Sequence, residues 1–204
     1  IAGMSLSERF PQIYETCKKA GIDMEKDIIP VVPAAHYFCG GIKVDTNCRT
    51  NIDGLYACGE ASCTGVHGAN RLASVSLLEG LYYGIRAGIT VSAEGKDIPE
   101  KLINTIPDWV YPREEEEFDP ILIANDLTTI QSTMWNYVGI VRTKNRLTRA
   151  KADLNYMSHR IEQFYKTAAI TRDIIELRNA VLVASIITER AISNPKSVGC
   201  HYIG

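Results

Sequence analysis

The sequence has little of anything extreme. Its 22 Lys and Arg nearly balance 24 Asp and Glu, for a net charge of −2. The chain therefore lacks the overall basic footprint that neutralises phosphates, and nucleic acid is not an expected partner. No apolar run reaches the roughly 20 residues that cross a bilayer, so no membrane span is expected. The chain opens Ile1-Ala2-Gly3-Met4-Ser5, with neither the basic start nor the apolar run of a secretory leader. It also opens without an initiator methionine, so a piece of a longer protein is expected. The six cysteines, at 17, 39, 48, 58, 63 and 200, include no C-x-x-C pair, which argues against a structural zinc site. A chain of 204 residues can bury one or two cores without disulfide staples. Free thiols in a reducing, cytoplasmic compartment are the expectation.

The near-zero net charge hides an uneven distribution. From Asp97 to Asp126 nine acids face two bases, a net of −7; from Arg142 to Arg190 ten bases face five acids, a net of +5. The acidic stretch holds Glu114-Glu115-Glu116-Glu117 and the prolines 99, 107, 112 and 120. Adjacent like charges repel and prolines interrupt helices, so residues 109–117 read as an acidic linker.

After the linker the apolar spacing is helical. Ile123, Leu127, Ile130, Met134 and Tyr137 recur at steps of four and three, as do Leu147, Ala150, Leu154, Met157, Ile161 and Phe164, and then Ile174, Leu177, Val181 and Ala184. Asp119-Pro120 is a cap and first-turn pair for the first stripe. Thr171 can cap the third, with Asp173 in its first turn, and Asn194-Pro195 ends it. Three stripes joined by short turns predict an antiparallel three-helix bundle over 118–204. Its basic positions (Arg142, Lys144, Arg146, Arg149, Lys151) have no aromatic interleaving and read as a solvated face.

Before the linker the pattern changes. Residues 7–20 suggest a short amphipathic helix. Ile28–Val32, Gly41–Asp45 and Leu55–Cys58 suggest strands, separated by Pro33, Gly40-Gly41, Asn47 and Asp53-Gly54. Ser74 to Ala93 suggests a longer helix carrying Gly80, Gly84 and Gly88, a flat strip suited to packing on a sheet; Glu79 and Arg86 argue against a membrane role.

Three clusters carry chemistry. In Asn51–Glu60 an apolar strand stops at Gly59 and presents Glu60, a carboxylate that can accept hydrogen bonds from polyol hydroxyls or serve as a surface acid at a turn. In Gly65–Gly80 a loop enters a helix whose early N–H groups, near Ser76 and Leu77, have no intrahelical partners and suit an anion or an electron-rich ring edge. Arg71 precedes them with a planar fork that fits a carboxylate, or a structural ion pair. In Pro33–Gly41, His36 can give a proton or hydrogen bond to an anion, or be a satisfied core residue. His67 reads as structural.

Together these residues carry a resemblance. The ordered set His36-Tyr37-x-x-Gly40-Gly41, Gly54-Leu55-Tyr56-Ala57-x-Gly59-Glu60 and His67-Gly68-Ala69-Asn70-Arg71-Leu72 resembles the succinate dehydrogenase/fumarate reductase/L-aspartate oxidase flavoprotein superfamily. Pro33-Ala34-Ala35, Cys39 and Leu72-Ala73-Ser74 resemble the wording of the oxidase branch. Met134-Trp135-x-Tyr137-Val138-Gly139-Ile140-Val141-Arg142 and Glu176-Leu177-Arg178-Asn179 resemble that branch's C-terminal helical domain. The resemblance implies non-covalent FAD, with Glu60 on its ribityl or adjoining part, the Ser76 and Leu77 N–H groups at the flavin pyrimidine edge, and Ser74 lining the pocket. It implies that His36 and Arg71 hold the carboxylates of L-aspartate. The implied reaction moves hydride from the aspartate α-carbon to flavin, giving iminoaspartate, and oxygen or fumarate reoxidises the flavin. The product would feed quinolinate and NAD biosynthesis, with quinolinate synthase as the implied partner enzyme.

Departures from the family pattern matter. The G-x-G-x-x-G phosphate cradle and the family's proton-shuttle arginine are absent from these residues. Val198 stands where members carry arginine, so Ser197, Gly199 and His201 receive no site role. The expected fold class is an α+β fragment: residues 1–38 ending a substrate-capping domain, 39–108 the C-terminal part of an FAD-binding α/β domain, then the linker and the bundle. The chain by itself is expected to be inactive. A fumarate reductase or succinate dehydrogenase flavoprotein, and a helical interaction module, are the alternatives.

Overall fold

The computed structural model describes residues 5–34, 36–95, 100–108, 110 and 119–204. Val110 apart, the acidic linker lies outside the described residues. The chain divides into two compact units, Ile1–His36 and Tyr37–Gly204.

In the first unit the expected single helix is two. α1 (Leu6–Arg9) begins with a capping box, in which Ser5 Oγ accepts from the Glu8 N–H and the Glu8 carboxylate accepts from the Ser5 N–H. Phe10 leaves the helical region at φ −134°, and Pro11, which has no N–H to leave unpaired, opens α2 (Pro11–Lys19). Ile28–Val32 forms no strand among the described residues: Ile28 is 95% exposed and Val31 85%. A β-branched run becomes a strand only where another strand completes its hydrogen bonds.

In the second unit β1 (Ile42–Lys43) pairs in parallel with β2 (Ser62–Cys63), Ile42 opposite Ser62. Gly41 is needed for this approach: its φ is +137°, and a Cβ there would lie 2.5 Å from the Ala61 carbonyl oxygen. Between the strands, Asp53-Gly54 turns the chain as expected. Leu55–Cys58, however, contributes only a single antiparallel bridge, Arg49 to Tyr56.

A 3₁₀ turn (Gly59–Ala61) leads into β2, and α3 (Ser76–Glu94) packs on that turn. Polar anchors fix the same side of α3. Glu94 accepts from Arg49 and from the Tyr56 hydroxyl, Arg86 donates to Asn47 Oδ1 at 2.8 Å, and Cys48 Sγ donates to the Tyr83 carbonyl at 3.2 Å. The glycine strip behaves differently from expectation. A Cβ at Gly80, Gly84 or Gly88 meets nothing within 4 Å among the described residues; only a Cβ at Gly59 in the turn would touch the strip, 3.8 Å from the Gly80 Cα. Among the described residues the strip therefore packs on neither β1 nor β2. A short helix, α4 (Glu100–Ile103), follows.

α5 (Pro120–Val138), α6 (Lys144–Thr167) and α7 (Arg172–Ser193) carry the three apolar stripes into one core. Leu154, Ile161 and Ile174 are fully buried and Leu177 nearly so. Each helix has a side-chain N-cap: Asp119 accepts from Ile121 N–H, Thr143 from Arg146 N–H and Thr171 from Ile174 N–H. α7 stops at Ser193, two residues before Pro195, which disfavours helical backbone in the residue ahead of it. Ion pairs Arg178–Glu162 and Lys151–Glu189 cross between helices on the exposed side, where each contributes at most about 1 kcal/mol. After α7 the chain returns to the α5–α6 junction: Arg142 N–H donates to the Tyr202 carbonyl and Gly204 N–H to the Arg142 carbonyl. Among the described residues no helix is long and apolar enough to cross a membrane.

Candidate functional site

The loop from Thr64 to Val75 is organised around one buried carboxylate. Glu79, in the first turn of α3, is 5% exposed, and three donors converge on it. Tyr37 Oη donates at 2.7 Å, His67 Nε2 lies at 2.9 Å, and Thr64 Oγ1 donates to the other carboxylate oxygen. The Leu72 N–H donates to His67 Nδ1 at 3.1 Å. A nitrogen that accepts carries no proton, so His67 is the neutral tautomer with its hydrogen on Nε2, aimed at Glu79. His67 is thus structural, as expected: it ties the loop to the helix through both ring nitrogens.

The electrostatics follow from this packing. Burial pushes the Glu79 carboxyl up, but the hydrogen bonds from Thr64, Tyr37 and His67 outweigh it and hold the group below its ordinary value. The Tyr37 phenol is pushed up to about 12, by burial first and then by its hydrogen bond to the Glu79 carboxylate. Tyr37 therefore remains a donor across the whole neutral range.

Arg71 is set on this platform. Its guanidinium carbon lies 5.3 Å from the centre of the Tyr37 ring, a cation–π distance, and its Nε donates to Ser76 Oγ at 2.9 Å. Tyr37 in turn meets the His67 ring edge-on at 5.0 Å. With Nε committed, the two Nη groups are the pair a carboxylate can engage. Ser76 is the first residue of α3, and the preceding Val75 supplies no side-chain cap. The early N–H groups of the helix, those of Ser76 and Leu77 among them, accordingly receive no side-chain cap from Val75. Ser74, just ahead, has φ +64°, a left-handed conformation rare for a residue with a Cβ.

Glu60 borders that platform, and its charge is a further cause of the raised Tyr37 phenol. It is the middle residue of the 3₁₀ turn, exposed, and its Oε1 accepts from the Phe38 N–H at 2.9 Å. It lines a cleft of about 850 Å³ with Gly40, Gly41, Ile187, Arg190 and His201 on its other walls. Arg142 also lines the cleft. Half-buried, it donates to the Val138 and Gly139 carbonyls and to His201 Nδ1, so it leaves the solvated basic face expected for it. His36 is exposed at the end of the first unit.

The structure therefore joins Arg71 and Ser76 directly, with Ser74 and Leu77 beside them in the chain, and sets Glu60 on the cleft. Sequence reasoning missed Glu79, Tyr37 and Thr64 as the frame beneath Arg71. The signal available was a lone carboxylate in the first turn of an otherwise apolar helix. It also passed over His201, which links Arg142 to the Asn194 carbonyl on the cleft wall.

Comparison with known proteins gives a consistent picture. Residues 1–77 match the FAD binding domain family and residues 127–203 match the fumarate reductase flavoprotein C-terminal family. The L-aspartate oxidase of Yersinia pestis is 44% identical over 196 residues, 96% of this chain and 36% of the relative. That of Halobacterium salinarum is 39% identical over 206 residues, 99% of this chain and 38% of the relative. Among solved structures, E. coli quinol fumarate reductase FrdA superposes with a TM-score of 0.75 at 27% identity, covering 100% of this chain and 37% of that one. A quinol-fumarate reductase with menaquinol molecules gives 0.76 at 29% identity, covering 97% of this chain and 37% of that one. The chain spans a little over a third of the length of the curated relatives it matches. Residues 1–77, which include Arg71, and residues 127–203, which make up most of the helical core, thus belong to these two flavoprotein domain families, and over 96% of its length the chain is similar to an L-aspartate oxidase.

Proposed function

We propose that this chain is the C-terminal part of an FAD-dependent L-aspartate oxidase, a cytoplasmic enzyme that forms iminoaspartate for quinolinate and NAD biosynthesis. The observation that carries the reading is Arg71, seated on Tyr37 and braced by Ser76 at the uncapped start of α3. An arginine whose Nε is already committed presents its remaining fork in a set orientation, which suits a substrate carboxylate. His36 would hold the second carboxylate.

The residues present fit FAD. N–H groups without a side-chain cap at the start of α3 suit the electron-rich pyrimidine edge, Ser74 stands beside them, and Glu60 offers a carboxylate to ribityl hydroxyls on the cleft. When bound, FAD supplies a two-electron acceptor for the hydride leaving the aspartate α-carbon. Around it, Arg71 orients the carboxylate, and the helix start favours negative charge next to Ser76 and Leu77. Tyr37 and His67 hold Arg71's platform still. In this reading α5, α6 and α7 form an antiparallel three-helix bundle behind the cleft, and residues 1–38 close a capping domain. Oxygen or fumarate would serve as final acceptor, and quinolinate synthase would consume the product.

The test uses the longer enzyme. Arg71→Ala should lower kcat/KM for L-aspartate by about 10²–10⁴-fold, the loss of a charge-assisted bidentate contact of roughly 3–5 kcal/mol. Flavin absorption of the purified variant should be unchanged. Unaltered aspartate kinetics would remove Arg71 from the substrate site. The 204-residue chain alone should purify colourless, and a stoichiometric yellow flavin complex would overturn that expectation.

A further inference from the structure

The cleft beside Glu60 is lined by a cation held only by neutral groups. Arg142 Nε donates to the Val138 carbonyl at 3.0 Å and to the Gly139 carbonyl at 3.2 Å, and its Nη1 donates to His201 Nδ1 at 2.7 Å. A ring nitrogen that accepts from a guanidinium carries no proton, so His201 is the neutral tautomer. Its Nε2–H is then directed at the Asn194 carbonyl, 2.8 Å away. Among the described residues the Arg142 side chain therefore has two carbonyls and a neutral ring as partners, and no carboxylate. A half-buried guanidinium in that setting has lost water without gaining a counter-charge.

A second cation lines the same cleft. Val183, Ile187 and Arg190 recur at steps of four and three along α7 and share its cleft-lining face. The Arg190 guanidinium is exposed and has no hydrogen bond or ion pair among the described residues. Glu60 is the one carboxylate on the lining, and its Oε1 is taken by the Phe38 N–H while Oε2 has no partner among the described residues. Much of the remaining lining is apolar, and Phe38, 43% exposed, offers a ring face.

We propose that this cleft binds an aromatic monocarboxylate that carries a hydroxyl at its far end, with the carboxylate on Arg142 and Arg190 and the hydroxyl donating to Glu60. The charge selects the class. Two arginines against one carboxylate leave the lining with a single excess positive charge, which a monoanion balances. A phosphate monoester brings a charge of about −1.5 to −2 and meets Glu60 as a repelling neighbour. A flat, rigid body also loses little conformational freedom between apolar walls. His201 is a positioning residue: by holding Nη1 it sets the edge that Arg142 turns to the carboxylate. Glu60 alone is shared with the flavin reading above; Arg142, Arg190 and His201 have no part in that reading, so failure here leaves it standing.

The experiment titrates the chain as it stands with para-hydroxyphenylpropionate, by calorimetry at neutral pH and low salt. One saturable site is expected in the micromolar to millimolar range. Tyramine, with the same ring and a cation in place of the carboxylate, should not bind, and phenylpropionate, which lacks the hydroxyl, should bind several-fold more weakly. Arg190→Gln changes an exposed residue and should leave the circular dichroism unaltered while weakening binding by about ten-fold or more. His201→Leu should weaken it by about ten-fold, whereas His201→Asn, whose side-chain carbonyl can replace Nδ1 as acceptor, should restore most of the affinity. Absence of saturable binding, affinity unchanged in Arg190→Gln, or tighter binding of phenyl phosphate than of the carboxylate would each overturn the proposal. Equal affinity in His201→Leu and wild type would refute the positioning role.

Discussion

Removing the Glu79 carboxylate tests whether the loop beneath Arg71 is held from below. In Glu79→Ala three donors lose their acceptor together: the Tyr37 hydroxyl, Thr64 Oγ1 and His67 Nε2. A buried donor left unpaired costs about 1–3 kcal/mol, so three set a ceiling near ~9 kcal/mol. Two effects reduce it. The variant no longer buries a charge, and the small cavity admits water that can pair with some of the donors. The expected loss is about 2–4 kcal/mol, read from urea unfolding followed by circular dichroism. Amide exchange at Leu72 gives a local reading, because that N–H is held by His67 Nδ1. It should accelerate in Glu79→Ala along with the global loss.

Glu79→Gln separates shape from charge. The amide keeps one carbonyl acceptor but turns an N–H₂ toward donors, so about 1–3 kcal/mol should still be lost. The pH dependence is the sharper readout. The folded carboxyl lies below its ordinary value of 4.5. As pH falls, the unfolded chain therefore takes up the Glu79 proton before the folded chain does. The carboxylate's contribution is full above the ordinary value and is lost as pH falls through the folded one. Wild type minus Glu79→Gln stability should shrink across that acid range and stay flat above it. The same variant should let the Tyr37 phenol ionise below about 12, as its second cause of elevation is removed. An alkaline absorbance titration, with Tyr37→Phe to identify the band, checks this. A Glu79→Ala cost under about 1 kcal/mol, or acid dependence unchanged in Glu79→Gln, would refute the frame.

Two further outcomes test the fold. Leu154→Ala, at a fully buried position of α6, should cost about 2–5 kcal/mol in urea unfolding, while Leu182→Ala, 52% exposed on α7, should change little. Gly41→Ala should cost about 1–3 kcal/mol through its φ alone, and more through collision with Ala61; a Tm equal to wild type would show that the β1–β2 approach can relax.

The helical half was legible because its signals are local. Stripes at steps of three and four, Asp119-Pro120, Thr171 and Asn194-Pro195 each act within a turn or two of themselves. Of the three side-chain caps only Thr143 went unread, and the packing of Arg142 against His201 had no local signal. The β half was not legible to the same degree. β2 is two residues long, too short for alternation to register, and Ile28–Val32 has strand composition without a strand to pair with.

The site divides along the same line. Arg71 and Ser76 are five residues apart on one loop, so their meeting is a short-range matter that the loop-to-helix pattern suggests. The frame beneath them is not short-range. Glu79 reaches Thr64 and His67 back along the loop and Tyr37 across a separate segment, and none of these partners has a periodic relation to it. What composition does carry is the asymmetry of α3. Glu79, Tyr83, Arg86 and Thr90 lie along one side, buried or anchored, while Leu77, Leu81, Ile85 and Ile89 stand exposed with Gly84 and Gly88 between them. A charge fully inside one face of an apolar helix is costly unless donors meet it. Glu79 on the side that carries the polar anchors was therefore itself the evidence that a polar frame had to exist there. Reading it only as a barrier to membrane insertion used its cost and overlooked what must offset that cost.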